Sequence, residues 1–221
     1  MHIFKLLILS ALLGSMTAYA AKDAQQSPVI IDEDVWAVFY DVPSRRFRNI
    51  RVNFVQRRFD VAAADLLTSA SYLSIEADRA EDAINRRLHE VADRLTWIAE
   101  NIDNEDVSGA DLDAQFGRAH WLLAQHYLFL ARQSRDRASY RNSGLYLWAT
   151  AHHLERAVLW SNARIDRKLH STLESLRDLA LRMQDSKRAE KALGEKPIVR
   201  AEELLRALGK TIDRPVLLEI S

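Results

Sequence analysis

The sequence predicts an all-α fold: a helical bundle of two duplicated antiparallel hairpins with two long helices, plus short flanking helices. Three observations predict it. Glycine and proline are scarce, six and four in 221 residues, and no proline lies between Ser44 and Lys196. Strands joined by turns need more of both. Apolar residues recur every three or four positions, first through Leu66, Leu73, Ile84, Leu88, Leu95 and Ile98, then through Leu147, Leu154, Val158, Ile165, Leu169 and Leu179. Only a helix gathers that spacing on one face. The two stripes also repeat each other at an offset of 81 residues, with Ile84-Asn85-Arg86-Arg87-Leu88-His89 matching Ile165-Asp166-Arg167-Lys168-Leu169-His170.

Residues 1–20 read as a secretory signal peptide. Lys5 supplies the positive start, Leu6 to Met16 the apolar run, and Ala18-Tyr19-Ala20 the small residues of a cleavage site. Cleavage near Ala20 sends the chain to the periplasm. The apolar run is too short to span a ~30 Å hydrocarbon core, and no later run reaches 18 apolar residues, so no stable membrane insertion is expected. Residues 21–42 form an N-terminal segment with a short helix around Trp36.

The bundle occupies residues 43–186, as hairpins 43–101 and 110–186. Pro43 starts the first helix, whose apolar face carries Phe47, Ile50 and Phe54 and which ends near Arg58. Asp60 is read as the N-cap of a long helix carrying the first stripe unbroken. Asn101 to Gly109 is a polar linker. Leu112 to Leu130 carries the third helix, ending near Asp136, and Ser139 caps the second long helix. Residues 187–221 hold a charged link, a short helix opened by Pro197 and closed by Gly209, and an apolar tail, Val216 to Ile220, that docks on the bundle.

The chain has no cysteine, so an exported fold stands on its core alone. Lysine plus arginine equals aspartate plus glutamate, 31 each, which argues against nucleic acid as a partner. Catalytic motifs and phosphate-cradling glycine loops are absent, so no enzyme is expected.

Two histidine groups are the candidate sites. One gathers His120, His126, His152 and His153 on facing helices, where His120 and His152 or His153 fall at similar heights and imidazoles could bind Zn, Cu or haem iron. Without Cys-x-x-Cys-His, haem would not be covalently attached. Trp121, Trp148 and Trp160 nearby give a competing reading, an aromatic layer with histidines at its rim. His89 and His170 repeat one another, each with polar or acidic residues four positions away: Asn85 and Asp93, Asp166 and Glu174. An imidazole and a carboxylate at that spacing can share a metal. Arg86, Arg87, Arg167 and Lys168 would repel it.

The segment Arg57-Arg58-Phe59-Asp60-Val61-Ala62-Ala63-Ala64-Asp65-Leu66-Leu67 resembles the hairpin turn of tetratricopeptide-type repeats, although those recur at about 34 residues. Length, signal peptide and hairpins together resemble the YfdX-like exported helical proteins of bacteria. That resemblance implies a periplasmic helical protein linked to stress or envelope physiology, with no chemistry to carry over. The expected function is a non-catalytic binding or interaction protein. Its partner is an unknown protein or a second copy, joined through helix ends that outrun their shorter companions. The alternative is a metal- or haem-binding bundle.

Overall fold

In the computed structural model, residues 39–104, 107–161, 163, 166–185 and 196–212 are described; they lie within one unit, Glu33–Ser221. The signal peptide, the Trp36 segment and the tail from Val216 fall outside the described residues. The described residues form seven helices and no strand: α1 Val42–Val55, α2 Phe59–Asp78, α3 Asp82–Glu100, α4 Gly109–Asp136, α5 Tyr140–Trp160, α6 Arg167–Gln184 and α7 Lys196–Ile212. None is long and apolar enough to cross a membrane.

The expected long helices are each two helices. The first stripe is broken at residues 79–81, where Arg79 N and Ala80 N bond back to Glu76 O and Ala77 O and Glu81 turns extended. The second is broken after Ser161, and Asp166 caps α6 by accepting from Leu169 N at 2.8 Å. A three-residue break is close to one helical turn, so the stripe passes through it without losing phase. Periodicity alone therefore cannot see the fold-back. Nor does a long helix outrun a shorter companion as expected: the helix expected to be shorter, α4, is the longest of the seven at 28 residues.

Short connections set successive helices antiparallel. α2 packs on α1 and α3, α5 packs on α4 and α6, and α7 lies against α4 and α6. α4 is the central element: every residue from Ala119 to Ala124 is buried, as expected of a helix enclosed on all sides. Phe47 of α1 stacks on Phe116 of α4, with centroids 4.2 Å apart, and joins the two halves of the core. Helices also meet where side chains are missing. A Cβ on Gly144 would sit 2.6 Å from Ala180 O, so α5 and α6 approach as closely as they do only with glycine there. Gly209 does not close α7. It lies inside the helix, where a Cβ would collide with the Trp121 ring, and Trp121 Nε1 donates to Leu205 O.

The caps differ from expectation. Asp60 sits inside α2, whose N-cap is Arg58, and Ser139 occupies the N-cap of α5 without a side-chain bond. The strong cap is Ser108, in a reciprocal capping box with Asp111 that starts α4.

The 81-residue offset reappears in the geometry. Among the described residues, Arg57 and Ala138 are the two non-glycine residues with positive φ, 56° and 57°. Each precedes a helix start, and each turn closes with the same bonds: Arg57 N to Phe54 O and Arg58 N to Asn53 O, Ala138 N to Arg135 O and Ser139 N to Ser134 O. Every buried residue of α2 has a buried counterpart at that offset in α5, from Ala62 and Ser143 to Ala77 and Val158.

Candidate functional site

A seam of polar side chains runs through the core where α1, α2, α4 and α5 meet. Its acidic end is Glu76 of α2, a fully buried carboxylate. Tyr127 and Tyr72 donate to its Oε1 at 2.7 and 2.9 Å, and Arg79 Nη1 donates to Oε2 at 3.1 Å. His126 Nε2 lies 3.2 Å from Oε2, within ion-pair reach but off a hydrogen-bonding line. Burial alone would push the Glu76 carboxyl up, but His126, Arg79 and Tyr127 together hold it below the ordinary range. The same burial, with the Glu76 charge, pushes both tyrosine hydroxyls well up. Glu76 is therefore ionised at neutral pH and both tyrosines are donors.

The Tyr127 ring links this end to the histidines. It stacks on His153 with centroids 5.3 Å apart and planes at 3°. His153 and His120 are both fully buried and share a 2.8 Å bond between their Nδ1 atoms. Burial is the main cause holding both rings well below the usual histidine range. Two neutral rings can make that bond only if one carries its proton on Nδ1. The other then carries its proton on Nε2. Both Nε2 atoms are buried without a hydrogen-bond partner.

His152 turns away from this pair toward α1. Its Nε2 meets Ser44 Oγ at 2.6 Å and lies 3.4 Å from Asp41 Oδ1. Burial pushes its pKa down to about 4, with the Asp41 charge opposing. Serine, histidine and aspartate are thus in contact, but Ser44 and Asp41 approach the same ring nitrogen. In a relay, the carboxylate must hold the nitrogen opposite the one that takes the serine proton.

Of the sequence candidates, then, His120 and His153 come together, while His152 belongs to a neighbouring contact. Among the described residues no group of three His, Asp or Glu side chains could hold a metal ion. His89 and His170 stay on the surface, each against one carboxylate at 3.2 Å: Asp78 across the α2–α3 turn and Glu174 on the same helix. The polar neighbours four residues before them serve the backbone. Asn85 donates to Ala77 O, and Asp166 caps α6.

Sequence reading missed Glu76, Tyr72, Tyr127 and Ser44. Glu76 had a signal: it stands at helical spacing from Ser69 and Leu73, on the buried face of a helix otherwise almost free of charge there. An acid in that position demands partners inside the core.

Comparison with protein-family models, curated proteins and solved structures finds no match to this chain.

Proposed function

We propose that this is a non-catalytic, exported binding or interaction protein of the periplasm, serving envelope or stress physiology. Export rests on Lys5, Leu6 to Met16 and Ala18-Tyr19-Ala20, and the physiology on the resemblance to YfdX-like proteins alone. The observation that carries the interaction reading is the outer face of α2. Its exposed positions between Asp60 and Asp78 are Val61, Ala64, Leu67, Thr68, Ser71 and Ile75, with no charge among them. Val61, Leu67 and Ile75 are 44–47% exposed. Thr68 and Ser71 donate back to Ala64 O and Leu67 O, so their hydroxyls make no demand on whatever covers the face. Short, satisfied, uncharged side chains suit close helix packing.

A second copy of the chain is the favoured occupant, because an uncharged strip needs no charge complement and pairs with itself about a two-fold axis. A 20-residue helix offers a strip of ~30 by ~10 Å, under half the ~800 Å² per partner of a stable interface, so the association is weak and transient. Light scattering across a concentration series tests it. Wild type should self-associate reversibly, and the Leu67→Glu, Ser71→Glu double variant should stay monomeric with unchanged helicity. Monomeric wild type at millimolar concentration, with no periplasmic protein cross-linking through α2, refutes the reading. N-terminal sequencing of the exported form should begin at Ala21.

The shared offset of turns and buried positions supports the further reading that the two halves arose by duplication, each a three-helix unit.

The metal or haem alternative keeps one supporting observation, the unpartnered Nε2 atoms of His120 and His153. A metal on both Nε2 atoms would put the remaining proton of each neutral ring on Nδ1, so the bond between the Nδ1 atoms must break first. Zinc or copper raising the melting temperature of wild type, but not of a His120→Ala, His153→Ala variant, would select this alternative.

A further inference from the structure

α1 carries four arginines, Arg45, Arg46, Arg48 and Arg51, and no acid. Three are matched: Arg45 to Asp41, Arg46 to Asp65 and Arg51 to Asp113, at 2.8 to 3.3 Å. Arg48 is not. It faces a cavity of about 240 Å³ between α1 and α5, lined by Ser44, Arg48, Arg156, Leu159 and Trp160. Arg156 is the second cation on that wall. Its Nε is fully buried and has no hydrogen-bond partner. Among the described residues neither Arg48 nor Arg156 pairs with a carboxylate. The only acid on α5, Glu155, is taken by Arg177 at 2.8 Å. Two guanidiniums therefore line one cavity beside Ser44, with an indole and a leucine as the apolar remainder.

We propose that this cavity binds the oxyanion head of a small organic anion, a carboxylate or a phosphate ester, with its apolar part against Leu159 and Trp160. The chemistry follows from the lining. A guanidinium is always charged and offers a planar fork of donors that matches two oxygens of a carboxylate or phosphate. A buried Nε–H left without an acceptor costs free energy that an oxyanion would return. The volume is below the ~300 Å³ at which pockets for drug-sized ligands begin, so the ligand is small. The site is distinct from the α2 face, and either proposal stands without the other.

Calorimetry and thermal unfolding of the mature chain test this, with sodium phosphate and sodium benzoate as probes. At least one probe should bind and raise the melting temperature, and the effect should shrink at high sodium chloride. Binding of benzoate alone assigns a carboxylate with an apolar body, and binding of phosphate alone assigns a phosphate head. Arg48 is exposed, so Arg48→Glu should fold normally while affinity falls roughly tenfold or more. Arg48→Lys should keep part of the binding, since it keeps the charge and loses the fork. No response to either probe at millimolar concentrations overturns the proposal. So does an equal response in Arg48→Glu, which would mark a general salt effect.

Discussion

Acid should destabilise this protein well above the range where carboxylates titrate. Three histidines are held neutral in the folded state, His120 and His153 fully buried and His152 partly so, and in the unfolded chain each titrates at an ordinary pKa of 6.5. A depressed folded pKa means that the unfolded state binds the proton first. The stability these rings contribute is complete above pH 6.5 and is lost as pH falls toward their folded values. For His152, with a folded pKa of about 4, the loss between neutrality and pH 5 is about 2 kcal/mol. His120 and His153 act with the same sign, and neither can exceed that amount at pH 5, because the unfolded ring sets the limit. The total lies between about 2 and about 6 kcal/mol, against a whole stability of about 5–15 kcal/mol for a typical domain. Glu76 acts lower. Its contribution is complete above the ordinary carboxyl value of 4.5 and is lost as pH falls from there toward its depressed folded value. Urea unfolding followed by circular dichroism at half-unit steps from pH 7.5 to 5 gives the slope directly. It should steepen below pH 6.5 and exceed one proton per molecule. A urea midpoint that stays flat to pH 5 would sink the argument, since burial without protonation could not then be what holds these rings neutral.

Other perturbations follow from single contacts. Glu76→Leu removes the acceptor shared by Arg79 and two buried tyrosine hydroxyls, and should cost about 3 kcal/mol in urea unfolding. Glu76→Gln keeps acceptor capacity and should cost less. Gly144→Ala forces a methyl to within 2.6 Å of Ala180 O and should lower stability by about 1–3 kcal/mol through separation of α5 and α6. Ser108→Ala removes one half of the capping box and should cost about 1 kcal/mol, with faster amide exchange confined to the first turn of α4.

The all-helical fold was legible because period, proline distribution and length agree. The start of α1 within one residue of Pro43, the end of α4 at Asp136 and the linker before Gly109 were readable from local chemistry. The fold-backs at residues 79–81 and 161–166 were not. No glycine or proline marks them, and the spacing of the flanking apolar residues, Ala77 to Ile84 and Val158 to Leu169, stays close to whole turns. Asp166 advertised a cap, but standing four residues before His170 it also fits a ligand pair, and spacing cannot separate the two. That His120 lies level with His152 or His153 followed from antiparallel α4 and α5. The placement of His152 did not, because its contact with Ser44 joins residues 108 positions apart. Glu76 and the tyrosines lay on helical faces whose partners only the tertiary arrangement supplies.

The bond between His120 and His153 also keeps time. Its direction fixes which ring is protonated at Nδ1 and which at Nε2. Sliding the proton across would leave an imidazolium beside an imidazolate, a charge separation the dry core does not tolerate. Reversing the direction therefore requires both rings to trade protons with water, and water reaches them only when α4 and α5 part. The nitrogen-bound proton at the centre of the fold should thus exchange no faster than those helices open, and its lifetime becomes a clock for the rarest motion of the core.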